Sequence, residues 1–136
     1  MAIYGIGTDI VRIARIEESL QKLGSRFAEK ILGPEEFAIY LQRQASSEAK
    51  AIRFLAARFS AKEAFSKALG TGFRAPVSWH GVQIVNEVNG KPVFRFDAST
   101  AEWLRERALL AYVSLSDEQD YAVSFVTIEQ SALVAK

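Results

Sequence analysis

Cysteine is absent from this chain of 136 residues, so a disulfide framework, a thiolate nucleophile and a Cys-based zinc site are all excluded. Histidine occurs once, as His80, which removes multi-His metal sites. Lying between Trp79 and Gly81, His80 reads as structural or exposed and not as catalytic. Any metal must then be held by oxygen ligands, which points to magnesium, calcium or manganese. No stretch is long and apolar enough to cross a bilayer, and the N-terminus lacks the basic, apolar, small-residue layout of a signal peptide. The expectation is a soluble, cytoplasmic protein with no membrane partner. A large net charge is missing too. At +1 the balance gives no argument for nucleic acid.

What is present fits one domain with a real core, since 49% of the residues are hydrophobic. Charge is unevenly placed. Residues 1–74 hold 12 Lys and Arg against 8 Asp and Glu, and residues 75–136 hold 5 against 8. An acidic partner or ligand is therefore drawn to the first half.

Patterning predicts a strand over Ala2–Val11, a helix over Arg12–Leu23 and a shorter helical turn over Arg26–Leu32. After Gly33-Pro34 a helix runs to about Gln44, followed by a polar loop over Gln44–Lys50. Ala51–Leu69 is the strongest helix. Phe54, Ala57, Ala61, Ala64, Phe65, Ala68 and Leu69 share one arc, and Lys62, Glu63, Ser66 and Lys67 share the other. Two strands follow, over Gly81–Glu87 and Pro92–Asp97, around the turn signal Asn89-Gly90. A helix over Ala98–Leu110 has Ser99 or Thr100 near its start as a cap. A last strand pair covers Tyr112–Ser116 and Tyr121–Ile128. The fold class is α+β: a single domain over 1–129 with an antiparallel sheet packed on a long central helix, then a loose tail over 130–136.

Two acids stand out. Asp9 follows Gly5-Ile6-Gly7-Thr8, and Glu63 lies in Ser60-Ala61-Lys62-Glu63-Ala64-Phe65-Ser66-Lys67. Each sits in an apolar or basic setting, where an unpaired negative charge is costly. A divalent cation shared between them removes that cost. Simpler readings stand beside this one. Glu63 and Lys67 are four apart and suited to a helix ion pair. Asp9 is placed to cap the following helix or satisfy a turn. Gly5 and Gly7 leave room for a ligand or for another backbone to pass close. Lys62, Ser66 and Lys67 offer donors suited to phosphate oxygens. Arg15, Lys22 and Arg26, with Phe27 nearby, read either as a solvated face or as a docking surface for an acidic protein.

Four ordered motifs then resemble the holo-acyl-carrier-protein synthases, a 4'-phosphopantetheinyl transferase family. They are Gly5-Ile6-Gly7-Thr8-Asp9-Ile10-Val11 with Arg15-Ile16, the run Arg53 to Gly72, Asn89-Gly90-Lys91-Pro92, and Val113-Ser114-Leu115-Ser116-Asp117 with Tyr121-Ala122. The resemblance spans Met1 to about Glu129. It implies transfer of the 4'-phosphopantetheine group of coenzyme A to a serine of apo-acyl carrier protein, releasing adenosine 3',5'-bisphosphate. It also implies magnesium held by Asp9 and Glu63, a homotrimer with active sites between subunits, and carrier docking on the basic first helix.

On this reading Asp9, Glu63 and Lys62 are the catalytic residues. Lys62, Ser66, Lys67, Gly70 and Thr71 contact the coenzyme, and Arg53 takes its 3'-phosphate. The proton of the attacking serine passes to Glu63 or to a water on the metal. One departure is Tyr112, where many relatives have histidine. The competing reading is a non-catalytic module that binds coenzyme A or a nucleotide and recruits an acidic protein through its basic helix.

Overall fold

Helix α4 (Glu48–Leu69) is the axis on which everything else is packed. It is buried on nearly every side, as expected of a helix with no continuous polar face. This differs from the two-arc reading, in which Lys62 lay on the polar arc with Glu63, Ser66 and Lys67. The computed structural model of the chain describes residues 1–132.

Strand β1 (Ala2–Arg12) leads into α1 (Ile13–Leu23), α2 (Ser25–Ile31) and α3 (Pro34–Ser46). No polar loop separates α3 from α4. Ser47 alone joins them, and its side chain caps α4 by accepting from the Lys50 N–H at 3.3 Å. Glu48 in the first turn also suits the positive end of the helix, so the polar stretch is helix start and not coil. Gly70, at φ +81°, closes α4 in the left-handed conformation that glycine adopts without strain.

The hairpin of β2 (Val82–Asn86) and β3 (Pro92–Phe96) is a separate two-stranded sheet. Next comes α5 (Ala98–Glu106), capped by Asp97, not by Ser99 or Thr100. The Asp97 carboxylate accepts from the Thr100 N–H at 2.9 Å. Hydrogen bonds from Thr100 hold its carboxyl below the usual range. The helix ends short of the predicted Leu110. Ala108, at φ +58°, turns the chain so that Leu109 and Leu110 begin β4 (Leu109–Asp117). Leu109 is buried in that strand, which removes its apolar side chain from water. The last strand is β5 (Tyr121–Gln130), which lies between β1 and β4, antiparallel to both. Gln130 pairs with Ala2 and Leu109 and so belongs to the sheet. Of the expected tail, residues 133–136 lie outside the described residues.

The three-stranded sheet packs one face on α4. At Gly5 an added Cβ would sit 1.9 Å from the Ala68 carbonyl oxygen, and at Gly7 1.9 Å from that of Ala64. Of the two uses open to these glycines, the structure shows the second: they admit the backbone of α4. One half of the core gathers Val11, Ile16, Ile31, Tyr40 and Leu55. The other gathers Phe65, Leu69, Val82, Leu104, Val126 and Ile128.

The opposite face of the sheet is unusual. Ile6, Ile10, Leu110, Tyr112, Val123 and Phe125 all point outward and are exposed. Across the register they alternate with Thr8, Ser114, Ser116 and Thr127, and an exposed face bearing this many large apolar side chains marks an interaction surface.

Candidate active site

Contact between β1 and α4 at Gly7 and Ala64 brings Asp9 beside the last turns of the helix. Asp9 does not cap α1. It lies inside β1, paired with Ser124 of β5, and Arg12 at the helix start makes no side-chain cap bond. Its carboxylate, 14% exposed, meets Lys67 Nζ at 3.1 Å. The same ammonium donates to the Thr8 carbonyl at 3.0 Å.

Glu63, half-buried, faces the same place. Burial pushes its carboxyl above the ordinary value, and the negative charge of Asp9 pushes it further. Lys67 and then Arg15 pull it back. The two acids thus share one electrostatic environment, with a cation from α4 and one from α1 beside them. The sequence-expected Glu63–Lys67 pair is replaced by Asp9–Lys67.

Lys62 requires a correction. Its ammonium is fully buried and turned away from this cluster. It binds Glu36 Oε1 at 2.6 Å and donates to the carbonyls of Ile31 and Trp79, each at 2.7 Å. Those three bonds use all three donors of a lysine, leaving none for a phosphate. Desolvation lowers its pKa, and Glu36 opposes that shift. Glu36 is held in turn by the N–H groups of Gly33 and Ile84, at 2.9 and 2.7 Å. Lys62 is a structural tie between α4, α3 and β2.

The remaining predicted contacts vary in availability. The Ser66 hydroxyl donates to the Glu63 carbonyl at 2.9 Å and is half-buried. The Gly70 N–H is taken by the carbonyls of Ser66 and Lys67, whereas Thr71 is exposed. Arg53 lies ten residues before Glu63, about 15 Å along the helix, so one chain does not bring the two together. It opens instead on a cavity of about 650 Å³ that also receives Arg43, Lys50, Arg58 and Asp117. Arg58 is nearly buried there, its guanidinium bonded to the Ile84 carbonyl and Asn86, and burial lowers its pKa to about 10. The sequence reading missed Arg43, Lys50 and Arg58, although four basic residues between Arg43 and Arg58 were a visible signal.

Arg15, Lys22 and Arg26 are all exposed. Phe27, half-buried, heads an aromatic series the sequence did not reveal. Phe27 meets Phe59 at 6.3 Å, Phe59 stacks on Trp79 at 5.7 Å, and Trp79 stacks on Phe73 at 4.4 Å. Phe59 is one turn before Glu63, so this series and the basic face of α1 both border the acid pair.

The acid pair suits a hard cation by donor chemistry: two carboxylates, both oxygen ligands, with proximity that raises the proton affinity of Glu63. Among the described residues no three acidic or histidine side chains converge. Two carboxylates would leave most of the coordination of a hard cation to substrate phosphate and water.

Known proteins resemble the chain along most of its length. Residues 5–126 match the sequence model of the 4'-phosphopantetheinyl transferase superfamily. The holo-[acyl-carrier-protein] synthase of Paraburkholderia phymatum is 53% identical over 129 residues, which cover 95% of this chain and 96% of that one. The crystal structure of the synthase of the same name from Neisseria meningitidis superposes with a TM-score of 0.87 at 43% identity, covering 94% of this chain and 99% of that one. A holo-(acyl-carrier-protein) synthase from Bacillus anthracis, solved in complex with CoA (3',5'-ADP), gives 0.78 at 33% identity, covering 96% and 100%.

Proposed function

The chain belongs to the 4'-phosphopantetheinyl transferase superfamily, and from that footing we infer that it works as a holo-[acyl-carrier-protein] synthase. It moves the 4'-phosphopantetheine group of coenzyme A onto a serine of apo-acyl carrier protein, a step that serves fatty acid biosynthesis. The observation that carries the reading is the acid pair Asp9 and Glu63, flanked by Lys67 and Arg15 on elements that match the family throughout.

The reaction forms a bond from the serine oxygen to the phosphorus that bears pantetheine. It breaks the bond from that phosphorus to the bridging oxygen, and adenosine 3',5'-bisphosphate leaves with the electron pair. Asp9 and Glu63 hold magnesium, which when bound offsets charge on the diphosphate. Lys67 is exposed enough to reach a phosphate oxygen while staying near Asp9. Ser66 and Thr71 line the approach at the end of α4, and Gly70 shapes that end. Glu63 is the carboxylate this chain offers as acceptor for the serine proton.

Arg53 and its neighbours in the cationic cavity bind the 3'-phosphate. The distance of that cavity from Glu63 favours an arrangement in which one subunit's cavity serves another subunit's acid pair. The exposed apolar sheet face supplies the contact, giving a homotrimer. A monomer in sedimentation velocity at working concentration removes that assignment. No described helix is long and apolar enough to cross a membrane. The cytoplasm, where coenzyme A and the carrier meet, is the assigned location.

Incubation with coenzyme A, magnesium and apo-carrier protein, followed by intact mass measurement of the carrier, tests the function. A gain equal to phosphopantetheine, lost with chelator, is expected. No gain under any metal condition leaves only the binding-module reading.

Docking is tested separately. Lys22→Glu and Arg26→Glu should raise the apparent KM for the carrier and leave coenzyme A binding nearly unchanged, and in the wild-type protein salt should raise the carrier KM as it screens the attraction. Equal loss of coenzyme A affinity argues against a docking role.

A further inference from the structure

Two serine hydroxyls, Ser60 on α4 and Ser124 on β5, are buried where those elements meet β1. Ser60 Oγ donates to the main-chain carbonyl of Asp9 at 3.1 Å. Ser124 Oγ lies 2.7 Å from Ser60 Oγ. Because the single Ser60 proton is committed to Asp9, Ser124 is the donor in that second bond. Thr8 Oγ1 completes the chain by donating to the Ser124 carbonyl at 3.0 Å. Ser124 is also the register partner of Asp9 across the β1–β5 ladder.

We propose that Ser60 and Ser124 are positioning residues that set the placement of Asp9 relative to Glu63. The inference rests on the reading that these two acids hold the metal. Its geometry is local and specific. Ser60 is three residues before Glu63 on the same helix, and its bond ends on the backbone of Asp9 itself. The helix segment carrying one acid is thereby tied to the strand residue carrying the other. Both side chains are buried away from solvent, at 0% and 1% exposure.

Neither serine is explained by core packing. Ser60 is fully buried on a stretch of α4 where Ala57, Ala61 and Ala64 are buried too. A hydroxyl there needs a partner, and the partners found are the Asp9 carbonyl and Ser124. Groups that orient metal ligands from behind typically alter metal affinity by about 10–100-fold when removed.

The test uses Mn2+ as the probe, titrated into the protein with coenzyme A and without carrier, with free Mn2+ read by EPR. Thermal melts are run on the same samples. Ser60→Ala leaves the Ser124 hydroxyl without its acceptor, so it lowers both stability and Mn2+ affinity. Ser60→Ala combined with Ser124→Ala also removes the stranded Ser124 hydroxyl, so stability recovers in part, the Asp9 carbonyl still lacking its Ser60 donor. The expected result is that Mn2+ affinity stays roughly tenfold weaker in both variants. Mn2+ affinity that is unchanged, or that recovers along with stability in the double variant, overturns the proposal and leaves a packing role. Asp9→Asn in the same titration separates the premise. Weakened binding in Asp9→Asn with none in the serine variants refutes only the positioning role. Wild-type binding in Asp9→Asn removes the metal assignment and this inference with it.

Discussion

Glu63→Gln and Asp9→Asn each reduce phosphopantetheine transfer by at least about 100-fold without unfolding the protein, a loss comparable to deleting one preorganised electrostatic contact in other acyl- and phosphoryl-transfer enzymes. The amide keeps the shape of the carboxylate and loses the charge that grips a cation. Stability should not follow activity. Burial raises the pKa of Glu63, so the fold favours its neutral form, and at neutral pH the ionised group works against folding. A neutral glutamine at that position leaves the melting temperature unchanged or higher. Asp9→Asn removes an ion pair whose lysine is 53% exposed, and such pairs contribute little. Activity is read from the intact mass of the carrier and stability from a circular dichroism melt. Wild-type turnover in either variant refutes the metal assignment.

Lys62→Met behaves in the opposite way. It strands the Glu36 carboxylate in a fully buried site, still held by the N–H groups of Gly33 and Ile84 but without its counter-charge. Breaking one side of a buried ion pair destabilises by about 3–5 kcal/mol. For a chain of this size that lowers the melting temperature by roughly 10–20 °C. Lys62→Met with Glu36→Gln recovers part of the loss, because no buried charge is left alone. Below its new melting temperature the single variant keeps its KM for coenzyme A. A raised KM with an unchanged melting temperature restores Lys62 to the phosphate-binding role read from the sequence.

The contrast between Glu63 and Lys62 shows what was legible in the sequence. The acid pair was readable because an acid among glycines and apolar residues is anomalous wherever the chain goes. Element order was also readable, since Gly33-Pro34, Asn89-Gly90 and the alternation in β5 are local signals. Lys62 was misplaced because a helical wheel assumes one wet side. In α4 the side bearing Lys62 is covered by α3 and β2, whose partner Glu36 lies 26 residues away. Ser60 and Ser124 were invisible for a related reason, because their bond spans 64 residues and each alone is an ordinary small polar residue. Leu109 and Leu110 extended the apparent helix until Ala108 turned the chain, a backbone choice that alanine does not advertise. The apolar outer face of the sheet was present as alternation in β1, β4 and β5, yet which of the two apolar faces stayed open depended on where α4 lay.

At Gly5 and Gly7, strand and helix meet peptide to peptide, with no side chain between them to compress or repack. The backbone interval between Asp9 and Glu63, across which the proposed ion would be held, is consequently as stiff as main-chain geometry. Calcium, whose oxygen ligands stand at about 2.3–2.6 Å against 2.0–2.1 Å for magnesium, asks for a wider grip. A design meant to widen the grip for the larger ion would therefore have to work through the side-chain torsions of the two acids, because the glycine contacts leave the backbone spacing little room to change.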